Sequence, residues 1–241
     1  SLFRPADLSF AAAVLSEAQN LKVNGKLQID PKNHQGRVDD VKINFDLAQV
    51  QLPRVAEISS AFESVNMIDE LRGQFQGEVS QLVFGMNGII TLAASGDLKN
   101  GFVRVSEYLT QPVEDIKAAF EMTEADCNIN NFSLLLGSGS VSGSGRINDY
   151  LKTQDYQFKV EAKNLKLEEV LAGQDIPVKV LGNVEGALAV SGAGFDPAIA
   201  LNSLTGDGNL KVTDGKLADF NLLKSVLKKI SVFHSLRMAS S

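Results

Sequence analysis

LNSLTGDGNLKVTDGKLADFNLLKSVLKKI, residues 201–230, reads as a strand, a tight turn, a second strand and then an amphipathic helix. Leu204, Gly206, Gly208, Leu210 and Val212 place an apolar residue or a glycine on every second position. A strand with this spacing has one dry face and one polar face. Asp214-Gly215 comes next, a pair suited to a two-residue hairpin turn because glycine accepts the positive φ that such turns need. Beyond Leu217 the pattern predicts a helix from Asp219 to Phe233, with Leu223, Val226, Leu227, Ile230 and Phe233 on one face. Lys224, Lys228 and Lys229 lie mostly off that face, so the helix either packs on the strands or rests on a membrane surface.

Looser copies of this grammar recur upstream. Residues 1–20 are ambiguous, since their alanines favour a helix while Leu8 and Phe10 fit a strand. Leu21, Val23, Leu27 and Ile29 alternate with polar residues, the turn set PKNHQG follows at 31–36, and Val41, Ile43, Phe45 and Leu47 alternate again. Pro53 suits the first turn of a helix whose stripe is Val55, Ile58, Phe62, Val65 and Ile68, either packed on the sheet or covering an open end. Four strands are expected over 74–83, 88–95, 100–108 and 115–122, punctuated by Gly85, Asn87-Gly88, Gly96-Asp97 and Asn100-Gly101. Further strands are expected over 127–136, 138–148, around Tyr156–Ala162, over 178–190 and over 199–217. AQVQLPRV (48–55), KNLKLEEVL (163–171) and KLADFNLLKSV (216–226) each end a strand and enter a helical turn, a weak repeat without constant period. The fold class is therefore mainly β: a long, curved antiparallel sheet, either an open groove or a partial barrel, with a few short helices including the amphipathic one at the C-terminus. All 241 residues fit one repetitive β domain.

The composition supports this class. Apolar residues make up 44% and charged residues 22%, as in ordinary globular proteins, and 20 glycines with no tryptophan suit many short turns. The net charge of −6, with no Lys/Arg cluster, argues against nucleic acid as a partner. One cysteine, Cys127, excludes an internal disulfide. No apolar run reaches the length of a membrane span, and no signal peptide is present. The chain opens on Ser1 rather than Met, so a fragment or a processed form is expected.

Chemistry-bearing motifs are weak. LLLGSGSVSGSG (134–145) is spaced G-x-G-x-x-x-G-x-G, lacks a following helix and a Walker lysine, and reads as glycine-rich strands at a bend rather than a phosphate cradle. His34, His234 and Cys127 lie far apart in sequence, which makes a zinc site improbable. Asp39-Asp40, Asp207 and Asp214 occupy turns or polar strand faces, where carboxylates are usual. No catalytic residue, cofactor site or metal site is expected, and the protein is expected not to be an enzyme. What remains is the dry strand face, carried by Ile43, Phe45, Val79, Leu92, Val103, Phe120, Met122, Phe158, Val160, Leu188, Val190, Leu210 and Val212. These residues either fill a closed core or line a groove for acyl chains. Periodicity cannot separate the two, and the filled core is its default reading.

The C-terminal stretch resembles the AsmA-like proteins of Gram-negative envelopes. The matching positions are Gly206, Gly208, Leu210, Val212, Asp214, Gly215, Leu217, Asn221 and Leu222, preceded by VEGALAVSGAGFDPAIALNSL (184–204) with its G-x-G-x-D-P link at 192–197. Over the rest of the chain only the strand grammar is similar. The resemblance implies a periplasmic segment of a longer protein anchored to the inner membrane, whose curved sheet shields phospholipid tails on an apolar floor between inner and outer membrane. It also implies no catalytic residues, and small glycines and alanines that leave room for chains. The rival reading is an envelope-assembly module that binds a protein partner by strand addition at a sheet edge.

Overall fold

The structure is a computed structural model that describes residues 5–56, 68–105, 109, 111–171, 180–194 and 202–217. Its strands are β1 (Ala6–Ala12), β2 (Leu21–Asp30), β3 (Gln35–Asp46), β4 (Glu70–Gly85), β5 (Gly88–Arg104), β6 (Val113–Thr123), β7 (Cys127–Leu136), β8 (Gly139–Asn148), β9 (Asp155–Lys166), β10 (Val180–Ala193) and β11 (Thr205–Leu217). They form one antiparallel meander in sequence order, and β1 does not meet β11. The sheet is therefore open and is not closed into a barrel. Among the described residues, substantial packing joins only neighbouring strands and two short helical segments to the strands beside them. The filled closed core, the default reading of the periodicity, is not what forms. Val23, Val41 and Val184 are the buried hydrophobic residues among those described, and no large side chain among them is fully buried.

The helical segments sit at one end of the sheet, after β3 and after β9. A 3-10 turn at Leu47–Gln49 is capped by Asp46, whose Oδ1 accepts from the Ala48 N–H at 3.0 Å. Helix α1 (Leu52–Ala56) follows, with Pro53 in its first turn. Helix α2 (Leu167–Leu171) follows β9. Its acids fasten it to the strands on either side. Glu169 accepts from the Ser138 N–H at 2.8 Å in the β7–β8 turn, and Glu168 accepts from the Gly182 N–H at 3.2 Å on β10. Two of the three strand-to-helix repeats thus fold as read. The third and the amphipathic helix at 219–233 lie outside the described residues, as do Ile58, Phe62 and Val65.

Some sequence expectations change. Residues 6–12 form a strand, which settles the ambiguous N-terminus. The two strands expected over 88–95 and 100–108 are one, β5, which runs unbroken to Arg104. Gly96-Asp97 lies within it, and Asn100 (φ 52°) is a bulge rather than a turn. Asp214-Gly215 is not a hairpin turn either. Asp214 (φ 55°) falls in a bulge of β11, where register with β10 passes from Asn183↔Thr213 to Leu181↔Lys216. Asp40, Asp115 and Asn164 play the same part in β3, β6 and β9. Aspartate and asparagine tolerate the left-handed conformation that an extra strand residue adopts, so these positions bulge without ending the strand.

Candidate functional site: the apolar face of the sheet

Residues directly paired across an antiparallel ladder share a face, and so do residues two apart on one strand. The register therefore traces rows across the sheet. One row runs Ala12, Leu21, Phe45, Phe75, Leu98, Ala118, Phe132, Gly143, Val160, Leu188, Gly208. The next runs Phe10, Val23, Ile43, Gly77, Gly96, Phe120, Ile129, Gly145, Phe158, Val190, Gly206. Both cross every strand, and neither contains a polar side chain. The row between them, on the other face, contains none that is apolar beyond alanine where it crosses β2 to β6: Lys22, Asn44, Gln76, Asp97, Ala119.

All of the sequence candidates fall on the dry face. Phe45, Val160 and Leu188 lie in the first row, and Ile43, Phe120, Phe158 and Val190 in the second. Val79 and Met122 join a third row through Val41, Ala94, Cys127, Ile147 and Tyr156. Leu92 pairs with Leu82, which pairs with Val38. Val103 pairs with Leu71 and Val113, Leu210 with Gly186, and Val212 with Val184. The bulges keep this face intact. Apolar positions change parity across them, from Val38 to Val41, Leu98 to Val103 and Ala162 to Leu165, and the extra residue returns each side chain to the dry side.

The floor is smoother than its sequence implies. Phe75 and Phe120 stack at 5.7 Å between centroids over the intervening Gly96. A Cβ at Gly96 would meet the Phe120 ring at 2.6 Å and the Phe75 ring at 2.8 Å. Phe132 lies over Gly143, Phe158 over Gly145, and Tyr156 over Gly192. The glycines thus do not leave open slots for chains, as the resemblance implies. Neighbouring large side chains fold down into them, which lowers each ring toward the backbone.

No layer covers this face among the described residues. Leu188 is 48% exposed, Leu210 72% and Val212 47%. Cys127 also lies on this face, half-buried between Met122 and Ile147, and burial pushes its thiol pKa upward. The opposite face is polar in chemistry and in shape. A depression of about 1050 Å³ spans β7 to β11. Ser133, Ser142, Glu161 and Asn209 wall one side of it, and Ser144, Lys159 and Asp207 the other. Side chains two rows apart on the polar side flank it, so its floor is the backbone of the first apolar row.

Phe132, Phe75 and Leu98 belong to the floor but were not singled out from sequence, although each sits on its strand's apolar phase. Among the described residues there is no cluster of metal-ligating side chains, and no helix is long and apolar enough to cross a membrane.

A family model described as the AsmA family matches residues 93–240. The chain belongs to the AsmA family. Proteins of the AsmA family are envelope-associated. Among curated proteins the chain is similar to the AsmA family protein YhjG of Escherichia coli (strain K12), 24% identical over 123 residues. That alignment covers 51% of this chain and 18% of the relative, so the chain spans under a fifth of that protein's length. No solved structure matches. The family match takes in the strands from the middle of β5 onward and both glycine-rich rows of β10 and β11.

Proposed function

We propose that the apolar face carries the acyl chains of a phospholipid or another envelope lipid, as one non-enzymatic segment of a longer protein anchored to the inner membrane and acting in the periplasm. The observation that supports this reading is the pair of uninterrupted apolar rows crossing all eleven strands with no covering layer among the described residues. Membership of the AsmA family supports the envelope setting. An acyl chain left in water costs about 0.8 kcal/mol per CH₂, so a lipid does not readily cross an aqueous gap unaided. An apolar floor with aromatic rings laid into glycine positions offers that chain continuous contact without gripping it. Head groups would stay at the sheet's margin.

Native mass spectrometry of the chain purified without detergent from a Gram-negative host tests this. The expected result is bound phospholipid, lost from Phe120→Asp and Phe158→Asp variants whose circular dichroism is unchanged. Preparations that are lipid-free in every case, and that take up no lipid from vesicles, would overturn it. The rival reading, strand addition by an envelope protein, is favoured by the two open sheet edges at β1 and β11. It predicts a partner insensitive to those two aspartates and lost on proline substitution in an edge strand.

A further inference from the structure

The outer flank of β11 has no strand beside it among the described residues, and β11 is the longer edge, Thr205–Leu217 against Ala6–Ala12. Edge strands are commonly guarded by a proline, a bulge or an inward-facing charge. From Thr205 to Thr213 this strand has no proline, bulge or inward-facing charge, and its one lysine, Lys211, is balanced by Asp207. Its register on β10 is regular from Ser191↔Thr205 to Asn183↔Thr213, and its dry side holds Gly206, Gly208, Leu210 and Val212. The midpoint of that regular segment is Asn209.

We propose that this edge pairs with the same edge of a second copy, antiparallel, about a two-fold axis at Asn209 that stands perpendicular to the sheet. Such an axis sets Gly208 opposite Leu210, Asp207 opposite Lys211, Gly206 opposite Val212 and Thr205 opposite Thr213, each twice over. These pairings follow rules the sheet already uses. Glycine faces a large apolar residue at Leu188↔Gly208 and Val190↔Gly206, and hydroxyl faces hydroxyl at Ser191 and Thr205, 3.0 Å apart. The Asn209 Oδ1 accepts from the Ala187 N–H at 3.2 Å, so that side chain leans toward β10 and leaves the axis clear.

The charges choose the register. Asp207 and Lys211 are exposed and form no ion pair among the described residues, although Lys211 stands opposite Glu185 on β10. Four residues apart on one strand, they are separated by roughly 13 Å and cannot meet within one copy. The axis at Asn209 brings each to its opposite, giving the row Glu185, Lys211, Asp207, Ala189 across the junction. An axis at Gly208 or Leu210 puts Asp207 opposite Asn209 or Thr213 and loses both pairs. Because the axis is perpendicular to the sheet, the two dry faces lie on the same side and form one continuous apolar surface. The lipid reading is not needed for this, and the pairing is measured without lipid.

Sedimentation equilibrium of the whole chain in detergent-free buffer is expected to show a concentration-dependent dimer. Asp207→Lys alone and Lys211→Asp alone are each expected to weaken self-association at least ~10-fold, since each turns two cross-strand attractions into repulsions. Mixing the two variants should restore dimers, now mixed ones, and so should the D207K/K211D double variant. Misfolding cannot produce that restoration. In a Cys127→Ser background, Asn209→Cys should form a disulfide-linked dimer on oxidation, because the axis places it against itself. A monomer at every concentration overturns the proposal, as does a dimer indifferent to both charge reversals, or a strand of another protein bound at β11.

Discussion

The two ends of the sheet use one row grammar and bury it very differently. At β2 and β3, Val23 is 7% exposed and Val41 5%, while at β10 and β11 Leu188 is 48% exposed and Leu210 72%. Near β1 to β4 the loop after β1 folds back. Asn20 is buried, its Oδ1 accepts from the Val14 N–H at 2.8 Å, and its Nδ2 donates to the Val14 carbonyl at 3.1 Å. Leu47 reaches over Gly73, and the stacked Phe75 and Phe120 tile the next strands. At the other end β11 has a neighbour on one side only. Each end has exceptions: Val184, next to α2, is 7% exposed, while Phe10 on β1 and Ile29 on β2 are 47% and 55% exposed. The comparison separates two jobs that an apolar side chain can do. At Val23, Val41 and the Phe75–Phe120 stack the dry face packs within the sheet, whereas at Ile29, Phe84, Leu188 and Leu210 it stands open to solvent.

Four measurements break or sharpen this contrast. The largest effect is expected from Phe75→Ala, which removes the stack on Phe120 and uncovers Gly77 and Gly96. It should cost about 2–3 kcal/mol in urea unfolding. Leu210→Ala, its counterpart at the exposed end, should cost well under ~1 kcal/mol. Equal losses at the two positions would remove the distinction. Gly96→Val comes next. Its new methyls collide with both rings, and an expected loss of roughly 1–3 kcal/mol should be accompanied by a weaker near-ultraviolet phenylalanine signal.

Asn20→Ala is expected to cost about 1–2 kcal/mol, because the Val14 N–H and C=O both lose their partner. Hydrogen exchange should then accelerate in the loop after β1 and at the adjoining ends of β2 and β3, with β10 and β11 unchanged. The smallest effect concerns α2. The Ser138 N–H, with further hydrogen bonds from Lys166 and the Ser138 hydroxyl, holds the Glu169 carboxyl below its ordinary value of 4.5. A carboxyl lowered on folding contributes stability that is fully present above its unfolded value and is lost as pH falls through its folded one. Protection of the Ser138 amide should therefore be full at neutral pH, persist down to the ordinary carboxyl value, and decline only as pH falls below it. Glu169→Gln should abolish that decline while leaving the β2–β6 region untouched.

Much of the fold was legible before any coordinates. Alternation in β2, β3, β7, β8 and β9 located those strands closely, and every residue singled out for the dry face lies on it. The errors cluster at aspartate, asparagine and glycine. Asn100-Gly101 and Asp214-Gly215 carry turn chemistry, and the same left-handed conformation serves a bulge as well as a hairpin. A usable signal was present: the apolar phase changes parity between Leu98 and Val103 while the strand continues. Phe75 was missed as a floor residue because its value depends on Phe120 and Gly96, two strands that alternation cannot bring together.

From the residues alone, each strand must have one dry and one polar face, because the two-residue period is a local property of extended backbone. Family kinship was readable in the same way, from the glycine spacing of residues 184–222. Whether the dry face closes on itself was not, because closure depends on whether β1 reaches β11 after twist and bulges have accumulated across the whole sheet. Only the tertiary structure settles that the sheet remains open, and it also sets the register that turns separate apolar stripes into rows. An open face with unbroken rows is exposed apolar surface, whereas a closed one made from the same residues would be a core.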